Sequence, residues 1–372
     1  MKTLILSCST GQGHNSCASA IKEYFELQGQ TCCIVDGLSL ISGFTSAIIS
    51  QGHAFIYKYL PGFFRWGYSH AEKHPELFDE KSAVYRFLGS ARKKLLQLIE
   101  EGGYDCVICT HVFTALMLKN AVKPGKPDIV SAFVATDYTC SPGAANCQAD
   151  VLFIPSNTLL EEFIDRGADI ERLEVSGIPV RHKFYVNQPK NEAKLQFGIA
   201  PEHRHLLLLG GSMGCGPMEQ LLARICRQLP EDWEISVVCA GNHSLEKKLR
   251  RIYCETERVH ILSYVDDMSA LMDSAELCLT KPGGISVTEA VVKRLPMLLS
   301  DAVSGCESYN CKRLVESGGA ATAVGVEGLC DKCRSLMADE EALKTMQQRL
   351  GSFVGEAGAK VIYERMMEMK ND

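Results

Sequence analysis

The run Thr280-Lys281-Pro282-Gly283-Gly284-Ile285-Ser286-Val287-Thr288-Glu289-Ala290 places several ligand-holding residue types in one short stretch. An apolar segment, Ala275 to Leu279, leads into it and a helix-like pattern follows. Adjacent glycines, Gly283 and Gly284, let a backbone pass close to a bound molecule. The N–H groups that open the next helix favour an anion at the same place. Glu289, about one turn into that helix, can accept two vicinal hydroxyls, and Lys281 can add positive charge. Together they fit a phosphorylated sugar or a nucleotide, because ligands of open α/β sheets collect at strand C-terminal ends. The same letters also fit an ordinary glycine-rich βα turn, with Glu289 and Lys281 solvated.

Two further places carry chemistry. In Gly11-Gln12-Gly13-His14 a histidine ends a glycine loop at the first strand–helix junction. An imidazole titrates near ~6.5 and can take a proton at neutral pH. Asp137 ends a later strand and is either a base, an orienting partner for His14, or a turn and capping residue. Gly210-Gly211-Ser212-Met213-Gly214-Cys215-Gly216-Pro217 is glycine-rich but lacks the Gly-Lys-Ser/Thr of a P-loop. Its N–H groups can be aimed at a diphosphate, and Arg181, after Gly177-Ile178-Pro179-Val180, can add charge there.

These residues need strands to carry them. Apolar runs at 2–9, 31–35, 105–110, 129–135, 151–154 and 173–175 alternate with helical patterns, and the alternation restarts at 205–209, 234–240, 259–262, 277–280 and 297–299. Such alternation predicts parallel sheets with helices on both faces. The polar segment Asn187-Gln188-Pro189-Lys190-Asn191-Glu192 reads as a linker. The expected fold class is α/β, two Rossmann-like parallel-sheet domains facing across a cleft: 1–186 with an insertion at about 41–101, then 187–355, then a helix at 356–372 packing back towards the first domain.

The insertion is rich in aromatics: Phe44, Phe55, Tyr57, Tyr59, Phe63, Phe64, Trp66 and Tyr68. From His53 to Lys94 it carries eight Lys and Arg against four Asp and Glu, in a chain whose net charge is −6. Aromatics beside cations suit the headgroup region of an anionic membrane. Phe63, Phe64, Arg65 and Trp66, behind Pro61-Gly62, are the expected contact, the alternative being that they fill a domain core. The sequence pI of about 6.0 offers no global basic field for nucleic acid.

Seventeen cysteines are scattered, many inside apolar runs where they act as small hydrophobes. Met1-Lys2-Thr3 leads straight into the first strand without a secretory signal, so a reduced, cytoplasmic setting is expected. Cys106-x-x-Cys109 lies in a strand and Cys330-x-x-Cys333 has no second pair at suitable spacing, so no metal is expected. No apolar segment reaches the ~18–20 residues of a transmembrane helix.

The glycine–histidine loop, Thr136-Asp137, Gly177–Arg181, Gly210–Gly214, Tyr264-Val265-Asp266-Asp267-Met268, Thr280–Ala290 and Glu307-Ser308-Tyr309-Asn310 follow one another over nearly the whole chain. In that order they resemble the monogalactosyldiacylglycerol synthase and processive diacylglycerol glucosyltransferase group of glycosyltransferase family 28. The resemblance implies a GT-B fold and an inverting, metal-independent transfer of a hexose from a UDP-sugar to a lipid hydroxyl, most simply that of diacylglycerol. It implies that Gly211, Ser212 and Gly214 face the diphosphate, Arg181 approaches the phosphates, Val265 and Met268 frame the uracil, and Glu289 holds the ribose. Glu307 and Asn310 would read the sugar, with Gly13, His14 and Asp137 on the acceptor side. UDP-sugar is then a co-substrate, no cofactor is needed, and the enzyme works peripherally on the inner face of the cell membrane. After Asp137 this chain departs from relatives, with Tyr138-Thr139-Cys140-Ser141-Pro142 where aromatic or histidine residues are common. Rival expectations are a UDP-sugar 2-epimerase on the same fold, a transferase acting on a soluble acceptor, and a non-catalytic UDP-sugar-binding protein.

Overall fold

In the computed structural model the described residues are 1–9, 12–42, 52, 60–122, 129–211, 214, 216–300, 305–353 and 355–371. The interior strands shield their backbones by pairing on both sides, which is the parallel-sheet solution for strands lacking a polar face. Among the described residues twelve strands form two sheets of six, and every pairing is parallel.

The chain folds as two compact units. The first comprises Met1–His182, Val303–Tyr309 and Gly355–Asp372. Its strands are β1 (Lys2–Ser7), β2 (Thr31–Asp36), β3 (Cys106–Cys109), β4 (Val130–Val134), β5 (Val151–Ile154) and β6 (Leu173–Val175), in the spatial order β2-β1-β3-β4-β5-β6. All four residues of β3 and of β5 are buried. The helix Gln12–Leu27 follows β1 and turns Cys17, Ala18, Ile21 and Phe25 inwards at three- and four-residue spacing. The helix Gly358–Asn371 lies against it, with the Tyr363 ring edge-on to Phe25 at 5.2 Å and Arg365 paired to Glu174 at 3.1 Å.

The second unit comprises Lys183–Ala302 and Asn310–Val354. Its strands are β7 (Arg204–Leu209), β8 (Trp233–Val238), β9 (Val259–Leu262), β10 (Leu277–Thr280), β11 (Met297–Leu299) and β12 (Ala320–Thr322). The order β12-β11-β10-β7-β8-β9 sends the chain outwards from β7 in one direction and then, from β10, in the other. Trp233 is fully buried at the head of β8, and burial of an indole contributes on the order of 2–3 kcal/mol.

Three expectations need adjustment. The segment read as a linker already starts a helix, Lys190–Gln196, because Pro189 sits at the N-cap and leaves no N–H to satisfy. The basic stretch, which reads in sequence as one helix with Arg86, Arg92, Lys93 and Lys94, is two helices, Ala83–Gly89 and Arg92–Gly102, separated at Ser90-Ala91. β12 was not expected, since Ala320-Ala321-Thr322 lacks the bulky apolar signature of its neighbours.

Candidate functional site

Each sheet has one point where the strand order reverses, and there the loops leaving two adjacent strands diverge and open a crevice. In the first unit this point lies between β1 and β3. The loop after β1 delivers His14 on the first turn of Gln12–Leu27, and β3 ends in Thr110 and His111. His14 Nδ1 lies 2.8 Å from the Thr110 carbonyl oxygen. A carbonyl only accepts, so Nδ1 carries the proton and the basic lone pair of neutral His14 resides on Nε2. Thr110 Oγ1 donates back to the His14 carbonyl at 3.2 Å, and Thr136 Oγ1 stands 3.1 Å from the same Nδ1. Three strand ends therefore set one imidazole.

His111 stacks edge-on to His14, with ring centroids 4.5 Å apart. Its Nδ1 accepts the Phe113 N–H at 3.0 Å as N-cap of the helix Val112–Ala121. Neutral His111 therefore carries its hydrogen on Nε2, the opposite tautomer to His14. Nothing in the sequence marks His111 as a partner: the two histidines become neighbours only because β3 pairs with β1. Asp137, half-buried one residue beyond Thr136, lies beside Cys306. Burial, then the charges of Asp137 and Glu307, push the Cys306 thiol far above its ordinary range, so it stays protonated and hydrogen-bonds the Asp137 carboxylate. Glu307, expected beside Asn310, falls in this first unit, as does Arg181, half-buried after β6. Gly13 is half-buried next to His14, and Gly11 lies outside the described residues.

In the second unit the reversal lies between β7 and β10. These strands end in the two glycine-rich loops. Gly211 has φ +67° and Gly214 φ +55°, and the Gly214 N–H closes a turn onto the Gly211 carbonyl at 3.0 Å. A Cβ on Gly211 would collide with Cε of Lys281, so the lysine stem from the β10 loop crosses directly over the β7 loop. Ser212 lies outside the described residues. Gly283 is the N-cap of the helix Gly284–Val292, and no described atom stands within 4 Å of where its Cβ would be. Glu289 is half-buried on that helix. Asn310 is fully buried and donates from Nδ2 to the Pro282 carbonyl at 3.0 Å, so its amide holds the glycine turn. The loop after β9 carries Val265, half-buried, to Met268, which opens the helix Met268–Asp273 under the Asp267 cap.

On the helix Pro61–Lys73 the aromatics divide. Phe63 and Trp66 are 56% and 61% exposed, Arg65 is exposed, and Phe64 is half-buried. Trp66 stacks on His70 at 5.4 Å. Phe44, Phe55, Tyr57 and Tyr59 lie outside the described residues. Among the described residues no helix is long and apolar enough to cross a membrane, and no three His, Cys, Asp or Glu side chains converge as metal ligands.

Comparison with known proteins gives these geometries a family. Residues 14–180 match the model of monogalactosyldiacylglycerol (MGDG) synthase, and residues 205–364 match that of the glycosyltransferase family 28 C-terminal domain. The processive diacylglycerol beta-glucosyltransferase of Bacillus pumilus is 26% identical over 379 aligned residues, covering 100% of this chain and 95% of the relative. Among solved structures, Acinetobacter baumannii MurG superposes with a TM-score of 0.66 at 14% identity, covering 99% of each chain. The UDP-GlcNAc 2-epimerase of Neisseria meningitidis gives 0.64 at 13% identity, covering 99% of this chain and 100% of that one. At such identities the structural likeness speaks for the fold alone, and that fold is GT-B. With the two family models succeeding each other along nearly all its length, the chain belongs to the monogalactosyldiacylglycerol synthase and diacylglycerol glucosyltransferase group of glycosyltransferase family 28.

Proposed function

We propose that the protein is a UDP-sugar-dependent hexosyltransferase that transfers a hexose, with inversion, to the free hydroxyl of diacylglycerol. The full-length relationship to diacylglycerol glucosyltransferases carries the substrate class, and the fixed tautomer of His14 carries the chemistry. The acceptor hydroxyl gives its proton to Nε2 of His14 as its oxygen attacks the anomeric carbon from the face opposite UDP. The C–O bond to the diphosphate breaks with its electron pair leaving on UDP, and the Thr110 carbonyl steadies the imidazolium that forms. Asp137, held by the Cys306 thiol, adds negative charge on the acceptor side.

The second unit holds the donor. The Gly211–Gly214 turn, the opening of helix Gly284–Val292 and Lys281 supply the positive end that the departing diphosphate needs, so transfer runs without a divalent metal. The fold leaves room for a Cβ at Gly283, and the absence of a side chain there suits close approach of a phosphate or sugar. Glu289 takes the ribose hydroxyls, Val265 and Met268 bracket the uracil, and Arg181 and Glu307 complete the contacts to phosphate and sugar. Asn310, which also holds the Pro282 carbonyl, reads the sugar beside Glu307. Phe63, Arg65 and Trp66 bring the enzyme onto anionic lipid at the inner face of the membrane.

The test is UDP release from UDP-glucose and UDP-galactose with diacylglycerol vesicles in EDTA, followed by mass analysis of the lipid. A hexosyl-diacylglycerol from either donor is expected. Release without a glycolipid, or isomerisation of a UDP-sugar with no acceptor present, would replace this reading with a soluble acceptor or with an epimerase.

A further inference from the structure

The turn that follows β8 is tied to both neighbouring loops of the second unit. It runs from Cys239 to Asn242 and closes with the Asn242 N–H on the Cys239 carbonyl at 2.9 Å. Ala240 within it has φ +47°, a left-handed conformation that an alanine adopts only under constraint. The side-chain amide of Asn242 is used at both ends. Its Oδ1 accepts the Leu245 N–H at 3.1 Å and caps the helix His243–Ile252. Its Nδ2 donates to the Gly214 carbonyl at 3.0 Å. The approach there is backbone on backbone: a Cβ on Gly214 would collide with the Cys239 carbonyl oxygen and stand 2.7 Å from Cβ of Asn242. On the other side the Ala240 N–H donates to the Ser263 carbonyl at 3.2 Å, next to the Tyr264–Met268 loop.

The geometry points to Asn242 as a positioning residue for donor binding. The bond from Nδ2 to the Gly214 carbonyl, with the close backbone contact to Cys239, fixes Gly214 of the glycine-rich loop against the β8 turn. The strained Ala240 is the cost of bringing the β8 turn close enough to do this while it also braces the β9 loop. The ligand recognised is a nucleoside diphosphate, and the effect falls on the diphosphate rather than on the base. This inference rests on the donor role proposed for the second unit.

Asn242→Ser separates the two ends of the amide, because a serine hydroxyl still caps a helix but is too short to reach Gly214. The measurements are UDP affinity by calorimetry, uridine affinity by NMR titration and the melting temperature. We expect UDP to bind about tenfold more weakly, the scale of one lost hydrogen bond of ~1.4 kcal/mol. Uridine affinity should change less than twofold and the melting temperature should stay within a few degrees. Asn242→Asp, which keeps the capping oxygen and loses the donor, should weaken UDP at least as much and serves if the serine variant does not fold. UDP affinity within twofold of the parent, or equal losses for UDP and uridine, overturns the inference. Failure of the parent protein itself to bind UDP would instead overturn the donor role.

Discussion

The neighbours of His14, the base proposed above, decide where its proton sits. Replacing it by alanine removes the proton acceptor while leaving the second unit intact, so turnover should fall about 10²–10⁴-fold with UDP affinity unchanged. Stopped-assay kinetics beside calorimetry check this, and near-parental turnover would exclude His14 as the base. His111→Asn keeps an oxygen to accept the Phe113 N–H and removes only the ring. If His111 helps to place His14 or the acceptor, kcat should drop several-fold with little loss of melting temperature. Gly214→Ala faces both a positive φ and a collision with the Cys239 carbonyl oxygen. A loss of roughly 1–3 kcal/mol in stability, or displacement of the loop with a matching loss of UDP binding, is expected by denaturant titration.

At the scale of elements, the strands were readable because parallel sheets bury both faces and so need unbroken apolar runs of strand length. β9, β10 and β11 coincide with the runs 259–262, 277–280 and 297–299. β12 lies outside that logic, because its pairing with β11 supplies what its composition lacks. The loops were legible as glycine-rich places, since a positive φ leaves a compositional trace. Their supports were not: His111, Thr136, Asn242 and Cys306 are ordinary letters that acquire roles through strand order or through helix capping. The helix Pro61–Lys73 offers an element-level test. Phe63→Ser with Trp66→Ser removes its two most exposed aromatics. Sedimentation with anionic vesicles should fall at least tenfold, and UDP binding should be unaffected. Unchanged sedimentation would assign membrane contact elsewhere.

For the whole molecule, the buried polar groups of the second unit set its tolerance of acid. His205 is fully buried in β7, with Nδ1 against Ser274 Oγ at 3.0 Å. Burial, followed by the charges of His260 and Lys194, lowers its pKa from 6.5 to about 3. The unfolded chain takes up a proton near 6.5 while the folded protein resists until about 3, so stability declines as pH falls through that interval. Glu234 adds to this: burial alone would raise its pKa, but hydrogen bonds from His260, Ala200 N–H and His203 outweigh burial and lower it. Its contribution is present above the ordinary carboxylate range and disappears below it. His205→Gln should therefore move the acid-unfolding midpoint to lower pH, as followed by circular dichroism; an unmoved midpoint would remove His205 from the account.

The first unit also has a consequence for biosynthesis. Its helix Gly358–Asn371 is encoded after the entire second unit, and until it arrives the Phe25 side of helix Gln12–Leu27 lacks its cover. At ~5–20 residues per second a ribosome delivers that cover roughly ten to forty seconds after the opening segment of the first unit has been made. Over that interval the nascent chain shows chaperones and proteases a greasy helix face that the finished enzyme conceals. Completion of the first unit thus waits on a segment that follows the second unit in the chain.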